Sequence, residues 1–239
     1  MGKTAAIFRK EFAFYFSSPI AYVFSIVFVV VLSWLFFKTF FLFGQATMRQ
    51  YFIFLPYIFL FFIPAITMRL WAEERKQGTI ELLLTLPLRD WDVTLGKYLA
   101  ALLFLTINLA LSIPIVVTVA IVGHPDYGVI VAQYLGAFLL GAAYLAIGIF
   151  VSTLTENQIV AFIMSVASTF VLAIVGENIV TLFVGNSLLA RILQGASLTY
   201  HFTSIGRGVI DSGDIVYYLS VILLFLYLTV RSIESRKYA

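Results

Sequence analysis

Polar side chains are scarce in this sequence, and their densest group falls between residues 71 and 92. Glu73, Glu74, Arg75 and Lys76 come first, then Gly78-Thr79, Glu81, Leu84, Pro87, Arg89, Asp90 and Asp92. Charges of both signs packed this closely can pair with one another or offer a docking face to a soluble partner. They do not make a catalytic set. There are no cysteines, which excludes disulfides, iron–sulfur clusters and thiol catalysis. His124 and His201 are far apart, with no His-Glu-x-x-His pattern, so no metal site is expected. Gly2-Lys3-Thr4 resembles the end of a phosphate loop, but no glycine-rich run or strand precedes it. Gly96-Lys97 is followed by Tyr98, not Ser or Thr. Any ATP hydrolysis must therefore be supplied by another chain, and no cofactor is expected in this one.

The remaining polar groups read as structural. Asn108 and Ser112, near Pro114, could line a pathway but fit better as hydrogen bonds between helices. Glu156 and Glu177 fall near the ends of apolar runs. No acid or base is expected deep within a span, which weakens an ion-coupled transporter. His124 reads as a turn residue and His201 as a packing residue at the interface. Gly136, Gly141 and Gly148 read as points of close helix approach. The dense aromatics between Phe28 and Phe62 read as contacts with lipid or a second copy, with contact to an apolar substrate left open.

Whatever positions these groups must be built in lipid. Of 239 residues, 62% are hydrophobic and 11% charged, and the mean hydropathy is +1.03. A soluble domain is about half apolar and about a quarter charged. Long apolar runs recur throughout, so the expectation is one all-α membrane domain over residues 1–239. The net charge of +3 is small and says nothing of nucleic acid; no nucleic-acid partner is expected. Residues 1–19 do not read as a cleaved signal peptide.

Six membrane spans are expected, at 20–43, 51–70, 93–122, 128–152, 159–176 and 215–231, each near the ~20 residues that cross the hydrocarbon. Before them, at 3–18, Ala5, Phe8, Phe12, Tyr15 and Phe16 form one stripe, while Lys3, Lys10 and Glu11 lie off it. That pattern predicts a helix on the membrane surface. Between spans two and three, residues 71–92 predict a helical extension to Gln77, a stop at Gly78, and a short helix capped by Thr79 and ended by Pro87. Asp90 is expected to cap span three. The stretch 179–193, interrupted by Gly185-Asn186, is too short to span and predicts a re-entrant hairpin within 177–193. Leu198, Phe202, Ile205 and Val209 then predict a second surface helix.

With six spans, Lys3, Arg9, Lys10, the cluster from Arg69 to Lys97, and Arg231, Arg236 and Lys237 share one side. Only Lys38, Arg49, Arg191 and Arg207 fall on the other. The preference of Lys and Arg for the cytoplasm then places both termini inside, in a multi-pass protein of the inner (cytoplasmic) membrane. The helix inside 71–92 would lie across the cytoplasmic face between two spans, where a push could tilt both. An ordinary interfacial loop fits the same residues.

The segment Glu73-Glu74-Arg75-Lys76-Gln77-Gly78-Thr79-Ile80-Glu81-Leu82-Leu83-Leu84-Thr85-Leu86-Pro87, followed by Gly96-Lys97, resembles the signature of ABC-2 type transporter permeases. The closest flavour is the small gliding-motility-associated type. Ser197-Leu198-Thr199-Tyr200-His201-Phe202, with Arg207-Gly208-Val209-Ile210-Asp211, is similar to that group's segment before the last span. The resemblance implies a fold like the type V exporter half, and a non-enzymatic permease subunit of an exporter that works as two six-span halves with two ATPase subunits. ATP and magnesium would then sit on the partner. It implies that 3–17 is a connecting helix and 73–87 a coupling helix, with Glu73, Glu74, Arg75, Gly78, Thr79, Glu81, Leu84 and Pro87 facing the ATPase. Glu156, within 155–158, would mark a smaller second contact. Glu177, Asn178 and Gly185 would belong to an outer gate. Implied partners are an ABC ATP-binding subunit, a second permease copy or close paralogue, membrane lipid and an accessory protein. The chain lacks a large domain between spans one and two, which weakens comparison with relatives that handle bulky substrates. A non-transporting membrane scaffold or sensor that recruits a soluble partner is the alternative. A membrane enzyme would need paired catalysts within spans, and none is found.

Overall fold

A computed structural model describes residues 2–79, 88–177 and 188–235. All regular structure among them is helical. Helix α1 (Lys3–Ser17) ends at Ser18, and Pro19 opens α2 (Pro19–Phe43), where its missing N–H costs nothing. Next come α3 (Arg49–Thr67) and α4 (Arg69–Lys76), nearly continuous across Met68. Then follow α5 (Asp90–Ala110), α6 (Ile113–Val122), α7 (Tyr127–Ser152) and α8 (Gln158–Ile174). Last are α9 (Leu188–Ala196), α10 (Leu198–Gly206) and α11 (Ser212–Glu234).

Among the described residues five stretches are long and apolar enough to cross a membrane: Ala21–Leu42, Arg49–Lys76, Asp90–Val122, Tyr127–Ser152 and Ser212–Glu234. The fifth of the six expected spans is shorter, the 17-residue α8. The expected third span is not one rod: it breaks at Leu111–Ser112, because Pro114 has no N–H to continue the ladder. At ~1.5 Å per residue, the 28 residues of Arg49–Lys76 extend about 42 Å. They exceed the ~30 Å hydrocarbon, so a charged end must project from it.

The most buried helix is α7, with 83% of its most apolar stretch enclosed, against 22% for the stretch in α2 and 28% for α11. Its glycines explain this. A Cβ on Gly148 would strike Thr67, one on Gly141 Leu105, and one on Gly136 Ile205. These three contacts are helix approaches, as their spacing predicts. By contrast α2 turns Tyr22, Val23, Ile26, Val30 and Trp34 outward.

Three expectations need correction. Glu11 does not face solvent: it is 7% exposed and packs beneath α1. Asp90 does not cap α5; Arg89 precedes the helix and its N–H donates to the carboxylate of Asp92 (3.4 Å). The stripe of the second surface helix stops at Ile205, since α10 ends at Gly206 and Val209 is 66% exposed. Residues 178–187, which hold most of the expected hairpin, lie outside the described residues.

Helix α1 docks on α5 where Gly96 leaves room. A Cβ there would stand 2.7 Å from Ile7 Cγ2 and 3.2 Å from the Phe8 backbone nitrogen. Gly96→Leu should destabilise this docking by about 1–3 kcal/mol, the usual cost of overpacking. It should also speed tryptic cleavage at Arg9 and Lys10. Gly195→Ala, at a site with open space, should leave cleavage unchanged.

Candidate functional site

The chemistry of this chain concentrates at one end of the bundle, where α1, α4, the start of α5, the α7–α8 connection and the end of α11 meet. At its centre is Lys97, 1% exposed. Helix α5 supplies no opposite charge within a turn of it: its neighbours are Val93, Thr94, Ala100 and Ala101. Its partners therefore come from elsewhere. The Nζ group donates to Glu11 Oε1 of α1 (2.9 Å) and to Glu74 Oε1 of α4 (2.8 Å). The Trp71 ring lies 5.0 Å from the same nitrogen. Lys10 approaches Glu74 Oε1 from the open side at 3.8 Å. Two carboxylates thus meet two ammonium groups, one of them buried, and the cluster is electrically balanced. A buried charge is tolerated only when paired in this way.

Neighbouring contacts extend the joint. Thr4 Oγ1 donates to Asp92 Oδ1 (2.9 Å), linking α1 to the first turn of α5. The Arg69 guanidinium covers Phe14 at 4.0 Å and Tyr15 at 4.5 Å. Burial raises the Tyr15 hydroxyl well above its ordinary pKa, partly offset by Arg69. Three elements distant in sequence are held as one piece.

Arg75 makes the second link. Its Nη1 donates to the Thr153 carbonyl (3.0 Å) and its Nη2 to Glu156 Oε1 (2.8 Å). Thr153 Oγ1 in turn donates to Ser232 Oγ of α11 (2.9 Å). Arg75 and Glu156, from the two segments expected to meet a soluble partner, are therefore directly paired. Glu73 accepts from Gln77 Nε2 (3.2 Å). Gly78 turns the chain after α4 at φ +68°, a conformation that L side chains rarely adopt. The Thr79 hydroxyl donates back to the Glu74 carbonyl (3.2 Å), satisfying one of that helix's terminal acceptors. Glu81, Leu84 and Pro87 lie outside the described residues, as do Asn178 and Gly185. Glu177 is at the opposite end of the bundle, lining a cavity there.

That opposite end holds a histidine–carboxylate hydrogen bond. His201 Nδ1 is 2.6 Å from Asp214 Oδ1, and Nε2 is 3.1 Å from the Gly195 carbonyl. Tyr217 stacks on the ring at 3.9 Å. The histidine ties α9, α10 and α11 together, which is more than a packing role. Ser112 bonds between elements, its hydroxyl 2.7 Å from that of Tyr134, whereas Asn108 Nδ2 donates to the Phe104 carbonyl of its own helix (2.8 Å) and its Oδ1 is buried without a partner among the described residues.

The expectation of no acid or base concerned groups deep within a span; it did not foresee the burial in protein of charged groups at the two ends of the bundle. Lys97, Glu11 and Asp214 are all buried. Lys97 counted only as one positive charge among several, and Glu11 as a surface residue. The usable signal was Lys97 itself, a charge in an apolar helix with no opposite charge one turn away.

The chain belongs to the ABC-2 family of transporter proteins, whose profile it matches over residues 5–229. It is similar to the probable multidrug ABC transporter permease YbhR of Escherichia coli strain K12, with 32% identity over 94 residues. The same figures hold for the YbhR protein of E. coli O157:H7. The alignment takes in 38% of this chain and 24% of the relative, so the chain matches about a quarter of the length of these curated relatives.

Lys97→Met would leave two facing carboxylates buried without their cation. It should cost about 3–5 kcal/mol, the range for breaking a buried pair, seen as a lower Tm in detergent. Adding Glu11→Gln should recover part of the loss, with a coupling of about 1–3 kcal/mol in a double-mutant cycle. Strict additivity would contradict the pairing.

Proposed function

We propose that this protein is the permease subunit of an ABC-type exporter, driven by a separate ATP-binding subunit that carries the ATP and magnesium. Two permease copies assemble with two ATPase subunits in the cytoplasmic membrane. Helix α8 crosses as a fifth span, giving six spans and cytoplasmic termini; its 17 residues reach about 26 Å, at the lower limit for crossing. The Lys97 end is then the cytoplasmic end. The motif around Ser197–Phe202 favours the small gliding-motility-associated type.

The observation that carries the reading is the Arg75–Glu156 pair beside the Lys97 cluster. A partner pressing on the segment after α4 would meet a joint already tied to α1, α5, α7 and α11. Force applied there moves spans, not a loose loop. The site residues Glu73, Glu74, Arg75, Gly78, Thr79 and Glu156 act in this joint or on its face, with Glu81, Leu84 and Pro87 as the continuation of the docking segment. Glu177, Asn178 and Gly185 belong to the outer gate. The exposed face of α2 suits lipid or the second copy.

The test is to co-express the chain with an ABC ATP-binding subunit, purify the complex, and measure ATP hydrolysis in lipid vesicles. A stable complex with permease-dependent ATPase activity is expected. Arg75→Glu should lower that activity about fivefold or more, a coupling loss of about 1 kcal/mol, without lowering membrane insertion. The exchange Arg75→Glu with Glu156→Arg should restore most of it. Failure of any ATP-binding subunit to associate would overturn the reading in favour of a non-transporting scaffold.

A further inference from the structure

The end of the bundle opposite Lys97 carries a cavity of about 690 Å³, within the ~300–1,000 Å³ usual for small-molecule sites. It lies between the start of α3, the start of α7, the end of α8 and α10. Its lining combines apolar Phe52, Ile53, Pro56 and Phe202 with the cationic Arg49 and Arg207 and the hydroxyl-bearing Thr199, Thr203 and Ser204. Glu177 also lines the cavity, so two guanidinium groups stand against one carboxylate.

The two arginines are unusual in their position. Under the six-span topology, only four of the fifteen Lys and Arg residues fall on this side, where cations are disfavoured. Two of those four meet in one cavity. Neither guanidinium has an ion-pair partner among the described residues, although Asp126 and Asp211 lie on the same side; those carboxylates instead accept from the backbone N–H groups of Gly128 and Gly213. Arg49 begins α3, whose first turn holds no acid, so the positive end of that helix adds to the same field. The apolar lining continues outward. Ile53, Tyr57 and Phe61 follow at four-residue steps and are 44%, 55% and 60% exposed, forming a strip on which a hydrocarbon chain can lie.

We propose that this cavity binds an anionic amphiphile. Its phosphate or carboxylate head pairs with Arg49 and Arg207, and its chain runs along the Ile53–Tyr57–Phe61 strip. Planar guanidinium groups suit such heads, because each can donate two parallel hydrogen bonds. The binding does not depend on ATP or on a partner subunit, although the rarity of cations on this side rests on the six-span topology proposed above.

Native mass spectrometry of the protein in an uncharged maltoside detergent tests this with three probes. Dodecyl phosphate carries head and chain, dodecylphosphocholine the same chain with a zwitterionic head, and inorganic phosphate the head alone. Dodecyl phosphate should bind saturably, one per chain, about tenfold or more tighter than either other probe, a difference of about 1.4 kcal/mol. Arg49→Gln with Arg207→Gln should abolish that preference. Arg49→Lys with Arg207→Lys should keep part of it, which separates lost charge from lost fold. Arg191→Gln, on the same side but outside the cavity, should change nothing. Equal binding of both dodecyl probes, equal binding of inorganic phosphate, or no effect of the double glutamine variant would each overturn the proposal.

Discussion

A buried ammonium must be paired, and the pairing of Lys97 dictates how one end of this protein is built. Helix α5 gives it no partner, so α1 and α4 must each bring a carboxylate, from Glu11 and Glu74. That requirement fixes where the amphipathic first helix lies. It lies against α5, with Gly96 cut down to let it close. The Trp71 ring and the Arg69 lid over Phe14 and Tyr15 shield the joint. Removing one ion leaves the others buried and unbalanced, so the cluster holds or fails as a unit.

The two ends of the bundle are different machines made from the same helices. At the Lys97 end, charges of both signs are used up against one another, and Arg75 extends the network to Glu156 and, through Thr153, to α11. Within the Lys97 cluster two ammonium groups balance two carboxylates. At the far end His201 and Asp214 hold the short helices together, while Arg49 and Arg207 line a cavity that Glu177 also lines. Between them α7 packs on its neighbours through glycines, in a close-packed core.

Much of this was legible in the residues because lipid is a demanding solvent. Apolar runs in α2, α3 and α7 cannot be placed elsewhere, and Ser18-Pro19 and Gly78 mark turns or breaks for simple steric reasons. The resemblance of 73–87 to a family signature was legible too, and the family match agrees with it. Lost from view were contacts between residues far apart in the chain. Glu11 and Lys97 are 86 positions apart, and nothing local says that a charge one step off an apolar stripe turns inward. The Arg75–Glu156 pair, 81 positions apart, was hidden for the same reason, although both residues stood among the candidates. The break at Leu111–Ser112 was readable from Pro114 and was passed over because the run stays apolar through it.

The central claim is that Lys97 makes α1 and α4 one rigid body. The absence of cysteine makes a direct measurement simple: introduce Ala6→Cys and Lys76→Cys, attach nitroxide labels, and record the distance distribution by pulsed electron paramagnetic resonance in lipid nanodiscs. With Lys97 present the account predicts one narrow distance, and with Lys97→Met a distribution that broadens and shifts. A distribution that stays equally narrow without Lys97 would show that apolar packing alone fixes α1, and would contradict it.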